Sequence, residues 1–215
     1  AFLRSLPGMV CCAPADSEEM GQAWEFAVNS QRPVALRYPR AQIPEPLGNS
    51  PRFELGKSRV IEQGRDAEIV AYGNMVDNAL QARSLLYKQG LSVGVIAARF
   101  AKPIDKELFT NLLESGRKVL IVEEHSSTGG LAGAVAEFAQ KSQLPVGNLS
   151  SLGLPADKMI PHGTRDWQLN ETSLNAEGIA RTVLKMFCED NKELCETAAA
   201  YETESAWVSR LGAGK

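Results

Sequence analysis

One pattern constrains this chain most: apolar runs of strand length alternate with segments of helical periodicity. Residues 67–72, 92–98 and 118–122 are almost unbroken apolar runs, and 146–149 reads as a further short strand. Segments with helical spacing follow over 76–89, 106–113, 131–141 and 176–187. A strand that is apolar at every position is buried on both faces. Parallel neighbours need a crossover between them, and a helix is the usual one. The pattern therefore predicts an α/β fold with a mainly parallel sheet and helices on both faces. A further strand is expected over 58–61, with a turn at Arg65-Asp66.

The first 40 residues carry a smaller version of the pattern. Residues 9–13 form a short apolar run that Pro14 breaks. Asp16 or Ser17 can cap a helix reaching about residue 29, with Met20, Ala23, Trp24 and Ala27 on one face. Residues 34–38 read as a second strand, stopped by Pro39. This strand–helix–strand unit is too small to stand alone. Between 41 and 52 lie Pro44, Pro46, Gly48, Asn49 and Pro51, the composition of a linker. The expected organisation is 1–40, linker 41–52, a compact domain over 53–187, and a tail over 188–215. The tail is expected to hold a helix near 190–200 or to be partly disordered. The chain begins at Ala1 and reads as a piece of a longer protein.

Composition narrows the classes of function. The net charge of -3 gives no basic face for nucleic acid. No apolar run approaches the roughly 20 residues that span a bilayer, and no signal peptide opens the chain. Four cysteines occur (Cys11, Cys12, Cys188 and Cys195), none in C-x-x-C spacing. Cys11 and Cys12 read as core-filling thiols in a reducing compartment. The two histidines, His125 and His162, lack metal-ligand spacing, and no metal site is expected. No G-x-G-x-x-G, P-loop or Gly-Asp-Gly motif is present.

Ligands of open α/β sheets bind beyond the carboxyl ends of strands, so the turns there merit attention. Tyr72-Gly73-Asn74-Met75 is either a tight strand-to-helix turn or a close approach to a ligand. Glu123 to Gly130 offers carboxylates, an imidazole, hydroxyls and helix N-terminal N–H groups. It suits an anion, or a contact between subunits or between domains. Ile160-Pro161-His162-Gly163-Thr164 is the third, with His162 as a loop hydrogen-bonder or a site residue. The sharpest basic feature is Arg37-Tyr38-Pro39-Arg40 at a strand end. It suits a sugar phosphate, with a surface salt bridge as the alternative.

Several segments together resemble one family. "LRSLPGMVCCAPAD", "PVALRYPR", "AEIVAYGNMVDNALQA", "SVGVIAARFAKPID", "KVLIVEEHSSTGGLAGAV" and "LGLPADKMIPHGTRDWQLNETSLNAEGI" occur in the order and spacing of the C-terminal part of the 1-deoxy-D-xylulose-5-phosphate synthases. This is a family within the transketolase superfamily. The resemblance covers about residues 2–187, and the last segment is the most specific. It implies the end of a pyrimidine-binding α/β domain followed by a transketolase C-terminal domain. It also implies a thiamine-diphosphate- and magnesium-dependent transferase condensing pyruvate with glyceraldehyde 3-phosphate, homodimeric and cytoplasmic, or plastid in a plant or alga. Arg40 matches the family arginine that grips the substrate phosphate. The catalytic, cofactor-binding and magnesium motifs are expected in the missing N-terminal portions, leaving this piece inactive alone. Gly8, Ala41 and Ala156 depart from the family pattern, and Ala41 leaves the shape of the loop after Arg40 open. The alternatives are another superfamily member, a transketolase or 2-oxoacid dehydrogenase β subunit, or a non-catalytic binding or regulatory module.

Overall fold

Residues 1–188 are described in the computed structural model. The larger sheet has five strands in the order β3-β5-β4-β7-β8. They are β3 (Arg59–Glu62), β4 (Ala67–Ala71), β5 (Val93–Ala97), β7 (Lys118–Ser126) and β8 (Leu149–Leu154). β5, β4, β7 and β8 run parallel, and only β3 is antiparallel, at one edge. The mainly parallel sheet is thus present, and its central strands, β4, β5 and the first half of β7, are buried on both faces as the apolar runs required.

Alternate residues of each strand face opposite ways, so one sheet supports two cores. On one face Ile69, Val95 and Leu120 meet α3 (Met75–Lys88) and α7 (Ala176–Met186). On the other, Val70, Ile96 and Ile121 meet α4 (Lys106–Glu114) and α5 (Leu131–Lys141). Asp105 caps α4 and Asn175 caps α7 through their side chains.

The N-terminal unit forms as expected: β1 (Val10–Cys12), α2 (Ser17–Asn29) and β2 (Val34–Leu36), with β1 and β2 parallel. A strand absent from the sequence reading completes it. β6 (Phe100–Lys102) follows β5 directly and pairs antiparallel with β1, giving a three-stranded sheet in the order β2-β1-β6. The corner is Arg99, at φ 57°. Under this sheet Phe26, Phe53 and Phe100 cluster with ring centroids 4.9–5.9 Å apart.

Other differences have local causes. The strand expected over 146–149 lies at Leu149–Leu154, because Val119 and Ile121 set its register from β7. β7 runs on through Glu123, Glu124 and His125, which sequence placed in a turn. Two short helices were not foreseen: α1 (Phe2–Ser5) and α6 (Arg165–Glu171). Residues 41–52 hold no helix or strand, in keeping with linker composition. They are nevertheless bonded along their length to both sides. The expected helix or disorder near 190–200 lies outside the described residues.

Candidate functional site

The three turns singled out above converge with the end of β2. Gly73 adopts φ 60°, and a Cβ there would meet the Ala13 Cβ at 2.8 Å. The glycine therefore serves a tight turn packed on the N-terminal unit. It brings Asn74 to the carboxyl end of β4. The Asn74 amide nitrogen donates to the Glu124 carboxylate, while its oxygen accepts from Arg37 Nη1 at 3.5 Å. Arg37 Nη2 also donates to the Glu124 backbone carbonyl at 2.5 Å. Arg165 Nη2 completes the group, 2.8 Å from Glu124 Oε2. Arg165 opens α6, just beyond the third turn, with Thr164 as its side-chain cap.

Glu124 is half-buried at the centre of this cluster. Burial alone would raise its pKa. The hydrogen bonds from Arg165 and Asn74, with the charges of Arg165 and Arg37, outweigh that and hold the carboxyl below its ordinary value. Arg40 lies three residues beyond Arg37. It is exposed and makes no hydrogen bond or ion pair among the described residues. Beside it is a small cleft lined by Asp16, Met20, Tyr38, Pro39, Ala41 and Asn74 among others. Ala41 is not among the residues with positive φ, so a side chain there costs no backbone strain.

The first two N–H groups of α5, after β7, are already taken. Glu123 is 2% exposed, and its two carboxylate oxygens accept from Leu131 N at 2.8 Å and Ala132 N at 3.0 Å. The chain's own carboxylate fills the anion position at α5. A Cβ at Gly130 would come within 2.0 Å of it, which explains that glycine, while Gly129 sits at φ 79°. His162 is exposed in its loop and joins none of these bonds.

A second polar cluster went unforeseen. Asp16, Glu19, Arg59 and Arg99 are all buried. Asp16 Oδ1 caps α2 by accepting from Glu19 N at 2.8 Å, and Glu19 Oε2 reaches back to Ala15 N at 2.9 Å. Arg59 Nη1 donates to both carboxylates at 3.1 Å, and Arg99 donates to Glu19 at 2.9 Å. The remaining guanidinium hydrogens bind residues 48–52: Arg59 the Gly48 carbonyl, Arg99 the Arg52 and Pro51 carbonyls and Ser50 Oγ. Asp16 Oδ2 also accepts from Leu47 N at 3.1 Å. Two acids and two bases thus tie α2, residues 41–52 and the larger sheet together. The D-x-x-E spacing at 16–19 was the available signal; the arginines stand 40 and more residues away.

The model of the transketolase C-terminal domain matches residues 56–179, more than half the chain. The chain belongs to the transketolase C-terminal domain family. The transketolase pyrimidine-binding domain matches residues 1–46. Within this family, the chain is 40% identical over 192 residues to a 1-deoxy-D-xylulose-5-phosphate synthase of Magnetococcus marinus, covering 86% of this chain and 30% of that one. It is 36% identical over 184 residues to the synthase of the same name from Aquifex aeolicus, covering 85% and 29%. The chain thus spans about 30% of the length of the curated relatives it matches. Among solved structures, a split-gene transketolase described as an inactive β4 tetramer matches with TM-score 0.78 and 31% identity, over 86% of this chain and 60% of that one. A Pichia stipitis transketolase complexed with sedoheptulose 7-phosphate shares the fold, with TM-score 0.65 and 22% identity over 94% of this chain and 27% of that one.

Proposed function

We propose that this chain is the C-terminal part of a thiamine-diphosphate-dependent synthase that condenses pyruvate with glyceraldehyde 3-phosphate, releasing carbon dioxide and giving 1-deoxy-D-xylulose 5-phosphate. One observation carries the reading: the likeness to synthases of that name is continuous through both the small-sheet unit and the larger α/β body. In this reading 1–40 closes the pyrimidine-binding domain, 41–52 links, 53–187 is the C-terminal domain and 188–215 is a tail. The parent is a cytoplasmic or plastid homodimer.

Arg40 is the residue assigned to substrate. It is exposed four residues beyond β2, between the cleft-lining residues Pro39 and Ala41, and has no carboxylate partner among the described residues. A planar fork of donors in that state suits the acceptor's phosphate. Thiamine diphosphate supplies the acyl carbanion equivalent when bound in the parent. The residues present here do not fit the cofactor's magnesium–diphosphate group. Among the described residues no three His, Cys, Asp or Glu side chains converge as ligands, and Glu123 already occupies the N-terminus of α5. That task falls to the parent's other portions.

The split-gene transketolase motivates a competing reading, a separate transketolase subunit, against which the 40% identity to a synthase weighs. The test pairs the chain with its upstream portion and supplies thiamine diphosphate and magnesium. Turnover of pyruvate with glyceraldehyde 3-phosphate supports the synthase. Turnover of ketose phosphate donors without pyruvate supports the transketolase. The chain alone is expected to turn over neither.

A further inference from the structure

We infer that Arg165 is a positioning residue for Arg40, acting through Glu124 and Asn74, so that the larger α/β body helps set the parent's affinity for its phosphorylated acceptor. The inference rests on the assignment of Arg40 to the acceptor phosphate. Its basis is the bonding around Arg37. That side chain is held by the Glu124 carbonyl and the Asn74 amide oxygen, at 2.5 and 3.5 Å. Asn74 can present its oxygen to Arg37 only while its nitrogen faces the Glu124 carboxylate. Arg165 Nη2 donates to the same Glu124 oxygen, Oε2, at 2.8 Å.

Arg37 controls where Arg40 can be. Three residues of chain reach at most about 11 Å, and Pro39 fixes one of the intervening φ angles. The far side of the segment is also pinned, by Ser17 N to Pro44 O at 3.0 Å and Leu47 N to Asp16 Oδ2 at 3.1 Å. The stretch carrying Arg40 is therefore a short strap fastened at both ends, and Arg165 is the outer support of one fastening.

Charge adds to geometry. With Arg165 in place, the Glu124 carboxylate is neutralised and Arg37 binds the backbone carbonyl beside it. Without Arg165, a half-buried negative charge beside Arg37 loses its ion-pair partner. It then competes for Arg37, and it repels the incoming phosphate. Removing the acid as well relieves both effects, so Arg165 and Glu124 should be unequal in their consequences.

The experiment uses the full-length parent with Michaelis constants for each substrate. Arg165→Gln should raise the KM for glyceraldehyde 3-phosphate about 3- to 10-fold, as loss of about 0.7–1.4 kcal/mol gives. The KM for pyruvate and kcat at saturating acceptor should stay within about 2-fold. Adding Glu124→Gln should recover most of the loss, and Arg165→Lys, which keeps the charge, should lose less. In an Arg40→Ala background the Arg165→Gln effect should vanish, since coupled residues are not additive. Four results overturn the inference: matched changes in both Michaelis constants, a double variant worse than Arg165→Gln, full additivity with Arg40→Ala, or Arg165→Lys no better than Arg165→Gln. An Arg40→Ala variant with unchanged acceptor KM removes the phosphate assignment itself. A raised KM there with no effect at Arg165 removes only the positioning role.

Discussion

Replacing Glu19 by alanine should unfold this chain more readily than any exposed substitution could. Glu19 is fully buried and accepts from three donors: Ala15 N, Arg59 and Arg99. The two guanidiniums are 4% and 1% exposed, so neither can turn to water when the carboxylate goes. The cluster of two acids and two arginines is neutral, and the variant leaves it with one uncompensated positive charge. Breaking a buried ion pair from one side typically costs about 3–5 kcal/mol. Loss of the reciprocal cap on α2 acts in the same direction. For a chain of this size each kcal/mol moves Tm by about 2–4 °C, so the expected drop is about 6–20 °C. Thermal melts followed by circular dichroism, with urea titrations for ΔG, measure it. Buried pairs are poorly screened, so the loss should persist in 1 M salt. Glu19→Gln, which keeps an acceptor oxygen, should lose less. A loss for Glu19→Ala below about 1 kcal/mol, the size of an exposed pair, would refute the reasoning.

Two further outcomes follow from buried groups. Burial raises the Glu68 carboxyl above its ordinary value, although Gly64 N and Arg117 bind one of its oxygens. A raised native pKa means that the folded chain holds the proton more tightly, so this contribution is fully present below the unfolded value and is lost as pH rises through the native one. Glu68→Gln should therefore flatten the stability–pH curve above the ordinary glutamate range and leave Tm at pH 7 unchanged or higher; a clear drop in Tm would mean that the Arg117 ion pair dominates instead. Burial also pushes the Cys12 thiol up to about 12, and Cys11 is raised too, despite Lys102 nearby. Both should resist a thiol reagent at pH 8 in the native chain and react promptly in denaturant; native reactivity at either position would contradict the packing.

The centre of the larger sheet was legible because β4, β5 and the first half of β7 are almost unbroken apolar runs, and such runs report burial on both faces. β6 was not legible. The three-residue strand Phe100–Lys102 owes its pairing to β1, almost 90 residues away, and only two residue pairs are made there. β8 was misplaced because Ser150, Ser151 and Gly153 carry little strand signal at a sheet edge. α1 and α6 are too short for periodicity to detect. In the site, Arg37 and the three turns were visible as strand-end chemistry, yet their convergence depends on strand order, which a sequence does not state. The Gly-rich turn after β7 read as an anion site because its plug, Glu123, lies inside the strand that sequence ended four residues too soon. Residues 41–52 have the composition of a free linker, and only the buried arginines from distant strands reveal that they are tied.

The most direct measurement is the effect of Arg40→Ala and Arg40→Lys on the two Michaelis constants of the full-length parent. A charge-assisted phosphate contact is worth about 1.5–3 kcal/mol, so Arg40→Ala should raise the KM for glyceraldehyde 3-phosphate about 10- to 100-fold. Lysine should recover part of that, because it keeps the charge but not the planar fork. The KM for pyruvate, which carries no phosphate, should change little. Equal changes for both substrates, or none for either, would contradict the account and make Arg40 a surface residue without a substrate.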